Sequence, residues 1–248
     1  MSDNDSASEA GGNTAPSPLP TWNHLAQNLI RTSQLLHAGG EPEPTVRTIV
    51  EAAPRLVPGV QAASVISTRA IHQVGDLAAV PCWEEQGPAS VILTGEAELL
   101  VLPDLADEGV KHRWPSFTRK AHELGFRGLM SLRLSTPTRN LGALSLYSRH
   151  ESPFGEVEQQ VSQLFAAQAA QAWAHAVHIQ ELHEALESRD VIGQAKGMLM
   201  QRLSIDAEEA FSVLSRLSMD TNIKLRQVAE QLVGSGLQAP ARQSVPRD

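Results

Sequence analysis

Two cations, Arg189 and Lys196, stand seven positions apart in a proline-free stretch, so two helical turns bring them to one face with Gly193 between them. Gly193 and Gly197 carry no side chain and leave that face open to close approach by a backbone or a base. A glycine costs a helix interior about 1 kcal/mol against alanine, so a pair of them asks for a reason. Met198 and Met200 lie on the same stretch, and Lys224 and Arg226 place further cations at the start of a later helical pattern. The bland alternatives are tight helix packing at the glycines, a core role for Met200 and solvated lysines. Residue types alone do not decide between the two readings.

Other chemistry is scarcer. His175, His178 and His183, with Glu181 and Glu184, are metal-ligand types. Their spacing along one helix does not gather the three imidazoles, so a solvated face is expected. Cys82 and Trp83, within a candidate lid over 76–96, and Trp114 before Pro115 are the residues placed to contact a small ligand. Their plain alternatives are a small buried hydrophobe and core packing. The chain holds no nucleophile elbow, phosphate loop or paired-cysteine motif, and no cofactor is expected.

The elements that must position these residues begin with helices. Leu25, Leu29 and Leu36 recur at helical spacing after Trp22, ending at Gly39-Gly40, and a second helix is expected over 44–57, closed by Pro58-Gly59. Strands are expected over 60–66, 98–102, 127–134 and 141–147, the last two joined by a turn with Pro137 and Asn140. A helix over 115–124 ends at Gly125. This order implies an α+β sheet domain. From 154 onward the pattern is helical. Val161, Leu164, Gln168, Ala172, His175, Ile179, Leu182 and Leu186 step by threes and fours like a coiled-coil seam, imperfect at its polar members. A connecting or dimerising helix over 154–187 is expected. Three shorter patterns follow it. The first, 188–203, carries Ile192, Ala195, Leu199 and Leu203. The second is capped by Asp206 and carries Ala207, Ala210, Phe211, Leu214 and Leu217. The third is capped by Thr221 or Asn222, carries Leu225, Val228, Ala229 and Leu232, and is stopped by Gly234. Their apolar stripes suit a small three-helix bundle.

Composition sets the bounds. A length of 248 residues accommodates two compact units. Residues 1–20 and 235–248, rich in Pro, Ser and Gly, read as disordered tails. No apolar run is long enough for a bilayer, the first residues lack a signal-peptide core, and the single cysteine suits a reducing cytoplasm. Net charge is −8, from 20 basic and 28 acidic residues. Residues 181–233 hold six Lys/Arg against nine Asp/Glu, which is −3. Contact with a polyanion must therefore rest on a local cluster of cations, not on a basic domain.

The stretch Ala185-Leu-Glu-Ser-Arg-Asp-Val-Ile-Gly-Gln-Ala-Lys-Gly-Met-Leu-Met200, followed by Ala210-Phe211, Leu214, Ser218, Lys224-Leu225 and Val228-Ala229, resembles the ANTAR domain. That family is an RNA-binding module of bacterial antitermination regulators. The resemblance implies recognition of RNA hairpin loops, with Arg189, Gly193, Lys196, Gly197, Met200, Lys224 and Arg226 as contact residues. RNA loops are read by stacking and by hydrogen bonds to base edges. With no aromatic platform apparent, Met198 or Met200 and the arginine planes would have to serve.

Residues 24–172 resemble a GAF domain of the type joined to such modules in actinobacteria. The carrying segments are 60–67, 86–88, 102–105, 113–115, 128–134 and 141–147. Where relatives show Gly-Pro-Cys this chain has Gly87-Pro88-Ala89, which speaks against thiol-based ligand chemistry. The resemblances imply a GAF-like antiparallel sheet domain flanked by helices, a long connecting helix and a C-terminal three-helix ANTAR bundle. The expected organisation is a tail over 1–20, a sensor domain over 21–172, the connecting helix over 154–187, the ANTAR domain over 181–234 and a tail over 235–248. The expected protein is a cytoplasmic, non-enzymatic homodimer that takes leader-RNA hairpins and an unidentified small molecule as partners, with no membrane. No acidic pair follows the strand at 60–66, so phospho-aspartate control is not expected. The rival reading is a helix-turn-helix DNA-binding regulator with a ligand-sensing domain. Gly234 and a Pro-containing tail leave it no recognition helix. An enzyme on the sensor fold is disfavoured because Cys82 has no resolving partner.

Overall fold

The computed structural model describes residues 40–67, 71–74 and 87–235, together with Thr32, Gln34 and Leu36 of a preceding helix. The chain divides into two compact units, one built on Arg47–Ala170 and one on the residues from Gln171 onward, to which Gly39–Val46 also belongs.

α1, Pro42–Leu56, enters the first unit at Arg47, buries Ile49, Val50, Ala53 and Leu56 on one stripe and ends before Gly59, whose φ of +76° suits only glycine well. Five antiparallel strands follow: β1 Ala62–Ile66, β2 Ile71–Val74, β3 Leu99–Leu102, β4 Gly128–Thr136 and β5 Arg139–Ser148. Their order across the sheet is β2-β1-β5-β4-β3. The β4–β5 hairpin is longer than its hydrophobic pattern suggests. Pairing continues through Ser135 with Asn140 and Thr136 with Arg139, past an irregularity at Leu134/Ser135, so Asn140 lies in the strand and not in the turn. Gly142 sits where β5 meets β1, and a Cβ there would run into the Ile66 carbonyl.

Three short helices, α2 Ala89–Leu93, α3 Glu108–Arg113 and α4 Pro115–Glu123, lie between the strands in sequence. The aspartate at 107 caps α3, accepting from the Gly109 and Val110 amides, and Pro115 opens α4, where a missing N–H costs nothing. Trp114, Phe117, Ala121 and Phe126 pack with Ala62, Leu129 and Tyr147 of the sheet. Ala89 and Ile92 pack with Ile66 and Ala143. Between these clusters runs a band of buried hydroxyls, Ser64, Ser145 and Ser131, paired across the strands, with Ser131 Oγ 2.9 Å from Ser145 Oγ. The expected lid over 76–96 therefore needs correction in its last part. Residues 89–93 are a core helix because Val91 and Ile92 are apolar and buried, while 75–86 lie outside the described residues.

α5 is one helix, Glu156–Leu203, of 48 residues, about 72 Å long at 1.5 Å per residue. No break separates 154–187 from 188–203 as the sequence patterns had suggested. No proline lies inside it and its first glycine is Gly193, so nothing interrupts the hydrogen-bond ladder. Along the supposed seam Val161 and Ala172 are buried, whereas Leu182 and Leu186 are 52% and 58% exposed.

In the second unit α6, Ala207–Thr221, starts with a reciprocal cap. Asp206 accepts from the Glu208 and Glu209 amides, and the Glu209 carboxylate accepts from the Asp206 amide. Asn222 does not cap the last helix. It ends α6 in the left-handed conformation, φ +53°, and the Ser218 hydroxyl donates to the Ile223 carbonyl at 2.6 Å to fix the corner. α7 runs Leu225–Ser235, with the Lys224 carbonyl accepting its first helical bond from Val228, and continues through Gly234. Ala195 and Leu199 of α5, Ala210 and Leu214 of α6, and Val228 and Ala229 of α7 form the core. Among the described residues no helix is long and apolar enough to cross a membrane.

Two substitutions test this packing. Gly142→Ala is expected to destabilise the first unit by about 1–3 kcal/mol, the usual cost of overpacking. Asp206→Ala is expected to cost the second unit about 1 kcal/mol by loss of its cap. Urea unfolding followed by amide hydrogen exchange, at the buried Leu144 and Leu146 for the first unit and at Leu214 and Ala229 for the second, distinguishes them.

Candidate nucleic-acid interface

The residues singled out on α5 come together. Arg189, Gly193 and Lys196 line one open groove with Ala185, Ser188 and Ile192 of the same helix and Phe211 of α6. Its lining contains two cations and no carboxylate. Neither Arg189 nor Lys196 forms an ion pair among the described residues, and the same holds for Lys224. Their charge is thus not consumed by neighbours.

The glycines resolve as surface features. A Cβ built on Gly193 or on Gly197 would meet nothing within 4 Å, so helix packing within the described residues requires neither. Gly193 opens into the groove, and Gly197 is exposed beside it. Lys224, at the head of α7, is exposed and does not line this groove.

Two of the predicted contacts do structural work. Met200 is half-buried against the cluster of Leu199 and Leu214. Arg226 joins α7 to α5: its guanidinium donates to Glu230 at 2.8 Å, to Glu187 at 3.1 Å and to the Glu184 carbonyl at 3.5 Å. Hydrogen bonds to Glu230 and then to Glu187 raise its pKa above the ordinary arginine value.

Sequence reasoning missed Phe211, which it assigned to the core stripe. The ring is 45% exposed, while Ala210 and Leu214 are fully buried. The signal lay in adjacency. Consecutive helical residues point about 100° apart, so with Ala210 facing the core its neighbour must stand at the margin. An aromatic platform is therefore present at this surface, contrary to the expectation from sequence.

In the first unit, Cys82 and Trp83 lie outside the described residues. Trp114 is a core residue, 8% exposed and packed with Phe117 and Leu105, with the Arg113 guanidinium 4.5 Å above its ring. An open cleft of about 390 Å³ lies instead beside α3 and α4, lined by Leu105, Lys111, Thr118, Arg119, Phe126 and Arg127 among others, and Trp114 is not in its wall. A hydrogen bond to Glu108 raises the Lys111 pKa there.

Comparison with known proteins fits this architecture. No curated protein matches the chain. Among solved structures, the photosensory core module of the Stigmatella aurantiaca phytochrome is 13% identical, with a TM-score of 0.55 over 83% of this chain and 46% of its own. A bacteriophytochrome from the photosynthetic bacterium R. palustris is 12% identical, with a TM-score of 0.55 over 82% of this chain and 54% of its own. The GAF domain of an Acinetobacter phosphoenolpyruvate-protein phosphotransferase is 13% identical, with a TM-score of 0.47 over 64% of this chain and 98% of its own. The chain spans about half the length of the two phytochrome structures, and at such identities the likeness is one of fold. Residues 180–233 match the ANTAR domain, a segment that begins inside α5 and takes in all of α6 and most of α7. The chain thus carries an ANTAR domain at residues 180–233 behind an α+β domain, and the helix Glu156–Leu203 contributes residues to both.

Proposed function

We propose that the chain is a regulator that binds RNA hairpin loops through its ANTAR domain to control transcription termination, under a small-molecule or redox signal received by the GAF-like domain. The observation that carries this reading is the carboxylate-free groove with Arg189 and Lys196, free of ion pairs, in a segment whose overall charge is negative. Phosphate neutralisation there does not require breaking a salt bridge first. Arg189, Gly193, Lys196, Gly197 and Lys224 are the RNA contacts in this reading, and Arg226 and Met200 hold the helices that present them. Binding one RNA hairpin over its competitor shifts the RNA fold by no more than the difference in affinity for the two.

The homodimer belongs to the same proposal. His175, Ile179, Leu182 and Leu186 keep heptad spacing on α5, and the two leucines are more than half exposed. A second copy would cover them. The sensor role rests on the α+β fold and on the GAF resemblance, with the ligand's contacts in the region of Cys82 and Trp83.

A gel-shift titration with a paired-hairpin leader RNA, using duplex DNA of equal length as competitor, tests the central claim. Lys196→Ala and Lys224→Ala are each expected to weaken binding with helicity retained, and to reduce the steepness of the salt dependence by about 0.7–0.9 for each phosphate no longer neutralised. Preference for the duplex DNA would instead support the DNA-binding reading. Gly197→Ala is expected to stabilise the helix by about 1 kcal/mol yet weaken RNA binding, a combination that a purely structural glycine does not produce. For the dimer, sedimentation of the Leu182→Asp, Leu186→Asp double variant is expected to give monomer where the wild type gives dimer. Equal sedimentation of the two would count against the seam.

A further inference from the structure

We propose that the groove between α5 and α6 is a nucleobase subsite, in which one unstacked base of the RNA loop lies against the ring of Phe211. The inference rests on the RNA-binding reading above and adds to it a specific place for a base.

Phe211 is the only Phe, Trp or Tyr in residues 174–248, and it is nearly half exposed although neighbouring Ala210 and Leu214 are fully buried. A lone aromatic kept at a bundle's margin gives up burial that a core position would supply. The groove it walls is about 570 Å³, within the ~300–1,000 Å³ of small-ligand sites. Gly193 forms part of its lining, and a Cβ there would enter empty space. Any larger residue at 193 would fill volume that now stands open beside the ring. Along α5 the same groove offers Arg189 and Lys196 for the flanking phosphates. It also offers the Ser188 hydroxyl, which has no partner among the described residues and can donate to or accept from a base edge. Apolar ring, missing side chain, cations and a free hydroxyl are the complement of a nucleotide whose base has left its stack. Charge complementarity favours RNA over a protein helix, because the lining carries two positive charges and no negative one.

The test uses the full chain, the paired-hairpin RNA and a second copy of that RNA carrying 2-aminopurine in its loop. Phe211→Leu is expected to weaken binding about tenfold, within the range for removal of one base–aromatic stack, with the salt dependence unchanged because every ionic contact remains. Phe211→Tyr is expected to restore affinity. Gly193→Leu, a better helix former, is expected to bind as weakly as Phe211→Leu by plugging the groove, which keeps the test valid should Phe211→Leu fold poorly. The 2-aminopurine emission is expected to change on binding to wild type, and not on binding to either groove variant. Unchanged affinity and an unchanged 2-aminopurine response in Phe211→Leu would overturn the subsite while leaving the RNA-binding reading intact. So would a loss of dimer without loss of RNA affinity, which would assign the ring to a protein contact. Absence of RNA binding by the wild type would overturn both.

Discussion

Three alanines, Ala195, Ala210 and Ala229, one from each helix of the C-terminal bundle, are fully buried in a single apolar cluster. Side chains this small let helix backbones approach closely, and the remaining core residues are chosen around that approach. Leu199, Leu214 and Val228 fill the space left beside them. Everything on the outside of the bundle inherits its position from this packing. Arg189, Gly193 and Lys196 fall on one margin of the α5 core stripe, and Phe211 falls on the facing margin of α6. A larger residue at any of the three alanines would spread the helices and separate the ring from the cations.

Charge is handled locally within an acidic segment. Arg226 is held by Glu187 and Glu230, so its role is to tie α7 to the long helix. Such solvent-screened pairs stabilise weakly, enough to orient a helix that apolar packing already holds. The cations of the groove are treated differently, with no carboxylate in the groove's lining. That contrast separates the cation held by carboxylates from the cations that line the open groove more sharply than their sequence positions do. For the proposed function this local arrangement counts for more than the net charge of the segment, because exposed charges farther away than a Debye length of about 8 Å are largely screened.

Much of this organisation was legible in the sequence wherever an element was long or carried a chemical cap. The Asp206 cap, the glycine at 125 after α4 and the apolar stripes of α6 and α7 marked their helices directly. Elements too short for a period went unseen: β2 has four residues, α2 five and α3 six. The identity of α2 comes from burial against the sheet, at Val91 and Ile92, and not from local pattern. The unbroken course of α5 was also hidden, because two overlapping stripes on one helix read as two helices. At the candidate site the glycines and cations were marked as contacts by the ANTAR resemblance, with the seven-residue spacing of Arg189 and Lys196 in support. Phe211 was not, since a margin position and a core position look alike until the third dimension decides which neighbour faces inward.

The corner made by Asn222 and Ser218 delivers Lys224 to the head of α7. The backbone amides at a helix start already carry about half a positive charge, and a lysine there adds to it rather than balancing it. No acidic residue lies in the first turn of α7 to compensate. What balance this end of the helix has comes from outside its first turn, through the Glu187 and Glu230 carboxylates that hold Arg226.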